Sequence, residues 1–429
     1  MLQTLRNAWR IEEIRKKILF TLLIVLLYRL GNAIPVPHVN VPALQAYFKQ
    51  LESTAFGLFN VMSGGAFSSA TIFALSIQPY INASIIIQLL CIVFPALERL
   101  QKEEGEEGKK KITSITRYTT VAIGLLMGFG YYTIMANNGL LNADAQGNVW
   151  AAIVIIFTFT SGSALIMWLG EQITEFGIGN GISIILFASI ISRLPTTVMT
   201  SITNISRGEL DWWVALLMFL GALAIIVLIV FVNDSERRIP VQYAKRVVGR
   251  KMYGGQSTHL PMKVNMSGVM PIIFAQSIAS LPATIAAFTG ASSDNWFMRL
   301  FDTTSIAYAI IYFLLILFFA YFYSTIQFNP VEVANNLKKN GGYIPGFRPG
   351  KPTSEFIQKV LNKITLFGAI YLGIIAVVPI LVAHFSKSSA LTGVSLGGTS
   401  IIIVVGVALE TVRALEAQML MRNYKGFLD

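Results

Sequence analysis

Residues 212–233, WWVALLMFLGALAIIVLIVFVN, run for 22 positions without a single Asp, Glu, Lys or Arg. A stretch of this length reaches across a hydrocarbon layer as a helix, which needs about 20 apolar residues. Working outward, further charge-free stretches cover 118–143, 145–170, 176–192, 264–293, 303–331, 364–386 and 388–409. A first apolar run at 18–34 is interrupted only by Arg29, near enough to its end to snorkel. The stretch 53–97 is too long for one crossing and is broken by Ser63-Gly64-Gly65 and Ser68-Ser69. It reads as one helix over about 72–97 preceded by a short segment, 60–71, that does not cross. Ten spans result. The composition agrees, since only 13% of the 429 residues are charged, against about 25% in a soluble domain.

Charge fixes the expected orientation. Placing the basic ends inside assigns 1–17, 98–117, 171–175, 234–263, 332–363 and 410–429 to the cytoplasm. These segments hold 27 of the 33 Lys and Arg residues and 16 of the 22 acidic ones, so the whole net charge of +11 lies on one side. The N-terminus carries Arg6, Arg10, Arg15, Lys16 and Lys17 before its apolar run, as a signal peptide would. No small-residue cleavage site follows, so 18–34 is expected to remain as the first helix, with both termini cytoplasmic. Five spans precede residue 210 and five follow. Halves of 1–205 and 206–429 would then face the membrane in opposite senses, as inverted repeats do. The long cytoplasmic loops 234–263 and 332–363 mix basic residues with Pro, Gly and aromatics, which favours ordered docking surfaces.

The spans contain no Asp, Glu or Lys. Ion-coupled transporters and pumps place such groups at mid-membrane, and intramembrane proteases need paired acids, Ser/His or zinc ligands. Neither class has its residues here, and one cysteine with three histidines leaves no candidate metal set. The string Gly346-Phe-Arg-Pro-Gly350-Lys351 has three residues between its glycines instead of four, and Pro352 where a phosphate loop needs Ser or Thr. Energy for any work must come from a partner, and no cofactor is called for. Ile77 and Ile81, and likewise Ile182 and Leu186, share helix faces at i,i+4. That spacing serves ordinary packing or a hydrophobic constriction equally well.

Several long strings occur in order along nearly the whole chain: MSGGA at 62–66, FALSIQPYINASIIIQLL at 73–90, WLGEQITEFGIGNGISI at 168–184 and ERRIPVQYAKR at 236–246. STHLPMKVNMSGVMPIIFA at 257–275, NPVEVANNLKKNGGYIPGFRPGK at 329–351 and GGTSIIIVV at 397–405 continue the series. Together they resemble the SecY family of bacterial protein-conducting channels. The resemblance implies an all-α polytopic membrane protein whose ten helices form two pseudo-symmetric five-helix halves around a central pore. It implies a pore ring at Ile77, Ile81, Ile182, Leu186, Ile273 and Ile403; Leu186 departs from the isoleucine frequent there but keeps its volume. Segment 60–71, with Ser63, Gly64, Gly65, Ala66 and Phe67, would be a plug.

A lateral gate is expected between spans two and three on one side and seven and eight on the other. Asn82 and Gln88 are its expected polar members, because a buried amide seeks a partner across a seam. Arg237, Arg238, Lys245, Arg246, Arg348 and Lys351 are expected to dock the SecA motor ATPase or the translating ribosome. Arginine suits carboxylates on the first and rRNA phosphates on the second. The resemblance further implies SecE and SecG as membrane subunits, signal peptides and unfolded polypeptides as passengers, and the bacterial plasma membrane as location.

Overall fold

The computed structural model describes residues 6, 8–50, 55–102, 104–208, 211–243, 246–248, 251–253, 257–289, 300–301, 305–386 and 397–425. Each uncharged stretch of the sequence coincides with a helix. These are α1 (Glu12–Gly31), α4 (Gln78–Val93), α6 (Gly105–Asn137), α7 (Val149–Phe176), α8 (Gly181–Ile191) and α10 (Trp212–Asp234) in chain order, then α11 (Met270–Thr289), α12 (Ile306–Gln327), α14 (Lys351–Ser386) and α15 (Gly397–Lys425). Shorter helices lie between them: α2 (Val41–Gln50), α3 (Ala55–Met62), α5 (Pro95–Lys102), α9 (Leu194–Ser206) and α13 (Pro330–Lys339). By length and composition six described helices can cross a membrane alone, or seven with the bent pair α4–α5 taken as one span.

The second span departs from the sequence reading. Its helix begins at Gln78 rather than near 72, and residues 63–77 run in turns, with a lone bridge at Thr71. Pro79 lies in the first turn of that helix. Proline costs nothing there, because the first N–H groups have no helical partner and its φ is already set. At the other end Pro95 pushes Phe94 into an extended conformation (φ −101°, ψ 113°), and the chain bends by 107° into α5. The short segment also shifts. Its helix, α3, covers Ala55–Met62, and most of 60–71 follows it as turns. Gly64 and Gly65 take φ of +69° and +91°, which ends the helix at that point.

Burial separates helices that stand largely exposed from those packed within the chain. In α10 only Ile229 and Val232 are buried, and Trp212 and Trp213 stand exposed at its first turn. Such indole rings favour the membrane interface. In α7 a packing stripe of Ala151, Ile155, Phe159, Gly162, Ser163 and Ile166 is buried instead. Gly162 is required by contact: a Cβ there would run into the carbonyl oxygen of Ile72. Small residues let helices approach where lipid offers no hydrophobic drive to association.

The apolar interior is one large cluster drawing on α1, α4, α7, α8, α10, α11, α12, α14 and α15, with a second on one side around Leu44, Phe48, Phe67, Tyr131 and Phe159. Helices before and after residue 205 touch through α8 with α15, α6 with α11, α4 with α11, and α3 with α11.

Gly162→Ala should lower the thermal unfolding midpoint of the purified membrane protein, by a destabilisation of about 1–3 kcal/mol from overpacking. Gly221→Ala in α10 is the control, since nothing lies within 4 Å of an added Cβ there. It should leave the midpoint unchanged or raise it slightly.

Candidate functional site

All six aliphatic positions singled out from the sequence meet in the central cluster. Ile77, Ile81, Leu186, Ile273 and Ile403 are each no more than 3% exposed, and Ile182, partly buried, packs against the same cluster. They come from four places in the chain: the start of α4, the first turns of α8, the start of α11 and the start of α15. The α8 pair owes its position to Asn180, whose side-chain oxygen accepts from the N–H groups of Ile182 and Ser183 and so starts that helix. A constriction of such groups closes by dewetting, since it offers an ion nothing to replace its hydration shell.

Met62, the last residue of α3, belongs to the same cluster. The turn after it is tied by its own polar groups. Ser63 Oγ accepts from Phe67 N (3.0 Å), and Asn60 Oδ1 accepts from Ser68 N (3.1 Å). Gly64 must be glycine: besides its positive φ, a Cβ would lie 2.9 Å from the Ser189 carbonyl oxygen. Gly65 has open space around it, whereas Ala66 and Phe67 are buried. Two tyrosines hold this turn from the flanking spans. The Tyr131 ring stacks on Phe67 with centroids 4.5 Å apart, and its hydroxyl donates to the Phe67 carbonyl. Tyr28 hydroxyl shares a 2.6 Å hydrogen bond with Ser189 Oγ and lies 3.5 Å from the Ser63 carbonyl oxygen.

The amides expected at the seam, and a third on the same helix, have neighbours of three kinds. Asn82 Nδ2 faces Met127 Sδ at 4.0 Å on α6, which lies on its own side of the seam. Gln88 Nε2 donates to Ser84 Oγ (3.3 Å) within its own helix. Gln78, 3% exposed, does cross: its Oε1 accepts from Ser277 Oγ on α11 at 3.5 Å. Gln78 precedes Asn82 by four residues, so the same-face rule already contained this amide; the two tyrosines gave no sequence signal beyond being aromatic.

On the charged side the two long loops form one unit. β1 (Glu236–Tyr243) pairs antiparallel with β4 (Ser257–Lys263) along one edge, and with β5 (Gly342–Tyr343) along the other. β2 (Arg246–Val248) and β3 (Lys251–Tyr253) make a separate two-stranded ribbon. Ile239 and Val241 of β1, Met262 of β4, and Leu337, Ile344, Ile357 and Leu361 from the second loop share a buried core. Arg237 is exposed, and Arg238 pairs with Glu236 at 2.6 Å. Arg348 and Lys351 are also exposed. The turn bearing Arg348 is fixed by Thr353 Oγ1 donating to the Arg348 carbonyl (2.8 Å) and by Phe347 stacked on Phe356 at 4.2 Å. Lys245 lies outside the described residues, and Arg246 is described only through its strand backbone.

The hairpin root is locked to the last helix. Arg413 Nη2 donates to Asn233 O and to Asp234 Oδ1, both at 2.6 Å. Burial, with Arg413 beside it, holds the Lys263 ammonium below the ordinary lysine range.

Three comparisons bear on this arrangement. The SecY family model matches residues 71–412. A protein translocase subunit SecY from Streptomyces scabiei is 45% identical over 442 aligned positions, covering all of both chains. Among solved structures, one described as a protein conducting channel superposes with a TM-score of 0.68 at 16% identity, covering 94% of this chain and 92% of its own. Another, reporting that the plug domain of SecY stabilises the closed state and maintains a membrane seal, gives 0.67 at 16% identity with the same coverage. The full-length identity and the shared fold agree that this multi-pass membrane chain belongs to the SecY family.

Proposed function

We propose that this chain is the pore of a protein translocase, passing unfolded, signal-bearing polypeptides across a membrane and releasing apolar segments sideways into lipid. The observation that carries the reading is the convergence of six aliphatic side chains from four helices with the tip of α3 in one uncharged cluster. Ile77, Ile81, Ile182, Leu186, Ile273 and Ile403 form the ring. Turn 60–71, with Ser63, Gly64, Gly65, Ala66 and Phe67, and helix α3 beside it form the plug of the idle channel. The halves 1–205 and 206–429 hinge at the loop between α9 and α10. The seam between α4 and α6 on one side and α11 and α12 on the other is the lateral gate, with Gln78, Asn82 and Gln88 as its amides.

A neutral iris suits a passenger of any sequence. Apolar side chains yield to each passing residue without binding it, whereas a charged filter would retain oppositely charged segments. An ion gains nothing from them: moving one from water into such surroundings costs on the order of 20 kcal/mol in the idealised limit. A signal helix of about ten leucine-like residues gains roughly 0.3–0.6 kcal/mol each on reaching lipid, on the order of 3–6 kcal/mol in all. That is the scale of a seam held by packing and a few hydrogen bonds.

The basic platform on the loop sheet is the docking face for the driving partner, SecA or a translating ribosome. Arg237, Arg238, Lys245, Arg246, Arg348 and Lys351 supply its charge. SecE and SecG complete the channel in the bacterial plasma membrane, with both termini cytoplasmic. The channel performs no chemistry of its own.

A photo-reactive side chain at Ile81, Ile273 or Ile403 should crosslink to a precursor arrested in transit. A precursor that labels only lipid-facing positions of α10 would remove the pore reading. Replacing Ile81, Ile182 and Ile273 together by Gly should raise the ion conductance of the idle channel in a planar bilayer, while a membrane as tight as wild type would take these residues out of the seal. Arg348→Glu should cut SecA-driven transport in proteoliposomes about tenfold, equivalent to about 1.4 kcal/mol, with the thermal unfolding midpoint unchanged. Unchanged transport would exclude Arg348 from the docking face.

A further inference from the structure

Gln78 makes two contacts that lead in different directions. Its Nε2 donates to Met62 Sδ at 2.9 Å, at the tip of α3, and its Oε1 accepts from Ser277 Oγ at 3.5 Å, across 199 residues on α11. All three side chains are 3% exposed or less. The amide has one orientation that serves both neighbours. A thioether sulfur accepts weakly and has no proton to give, so the nitrogen must face Met62; the oxygen is then left for the serine hydroxyl.

We infer that Gln78 is a positioning residue that couples plug retention to closure of the seam. This rests on the plug and gate reading above and adds how the two are linked. When α11 moves away, Ser277 leaves with it and the buried Gln78 carbonyl loses its hydrogen bond. An unpaired buried acceptor is costly, so the side chain turns to find another donor. Turning withdraws Nε2 from Met62, and the plug loses its polar tie to α4 at the moment the seam parts. The reverse holds as well, because a coupling free energy is reciprocal. A plug seated with Met62 on the amide keeps Oε1 aimed at Ser277 and favours the closed seam.

The test is a mutant cycle in the full chain, in its native membrane and without precursor. A cysteine replaces the partly exposed Val61 on α3 as a plug reporter. The buried Cys91, the one natural cysteine, is changed to Ser. The readout is the rate of labelling by a membrane-impermeant maleimide. Gln78→Met keeps the side-chain volume and removes both hydrogen bonds; it should raise labelling about fivefold, the scale of one net hydrogen bond. Ser277→Ala should raise it in the native background but add nothing when Gln78→Met is present, since Ser277 acts on the plug through the amide. Met62→Leu combined with Ser277→Ala should be non-additive in the same way, which provides the cycle if Gln78→Met fails to accumulate.

Independent, multiplicative effects of Gln78 and Ser277 would overturn the coupling, as would wild-type labelling in Gln78→Met. Either result together with normal crosslinking of precursor to the ring would remove this inference and leave the pore reading standing. Non-additivity without ring crosslinking would leave the joint and remove the pore.

Discussion

A pore for polypeptides in a membrane must stop ions without holding any fixed charge in the way of its passengers, and aliphatic contact at mid-membrane meets both demands. Ile77, Ile81, Leu186, Ile273 and Ile403 are almost completely buried within one apolar cluster, and Ile182 packs against it. The rest of the architecture serves that contact. Four separate helices have to deliver their ends to one place, so the chain needs long spans whose packing faces are small or aliphatic. The close approach of α7 to the Ile72 backbone at Gly162 is one such requirement.

Closure of this kind is weak in each contact and strong in sum, which makes it reversible by a modest input. The polar ties around it are few and specific. Tyr28 and Tyr131 anchor the turn that follows α3, and Gln78 joins α3 to α11. In the membrane interior a hydrogen bond has no competing water, so even single bonds bias which of two packed arrangements prevails. Asn82 and Gln88 stay within their own side of the seam. If α4 and α11 part as proposed, Gln78 loses a partner, whereas the contacts of Asn82 with Met127 and of Gln88 with Ser84 do not run between those helices.

On the charged side the same economy appears in a soluble setting. Two loops separated in sequence by residues 264–331 are combined into one sheet with a shared core of Ile239, Val241, Met262, Ile344, Ile357 and Leu361. That core fixes the backbone beneath Arg237 and Arg348, so both guanidinium groups project from a firm base. Arg413 ties the hairpin root to α15, the helix that also delivers Ile403. Under the docking proposed above, a load on this face would have a covalent and hydrogen-bonded route to the helices of the proposed ring.

The amino-acid sequence by itself determined where the membrane helices lie, because the cost of burying charge in lipid leaves its mark as uncharged stretches that need no structure to read. It also supplied the candidate ring, through long strings that resemble a known family. It did not determine where the second helix begins: a run of apolar residues reads the same whether helical or turned, and only the tertiary position of Pro79 and the turns at 63–77 decide it. Nor could it choose among Gln78, Asn82 and Gln88, which share a helix and a chemistry. The amide that crosses the seam is selected by which one Ser277 reaches, and that is a property of how α4 and α11 pack rather than of either segment alone. The joining of the two loops into one sheet was equally hidden, since strand pairing between distant segments depends on register in space and leaves no local pattern.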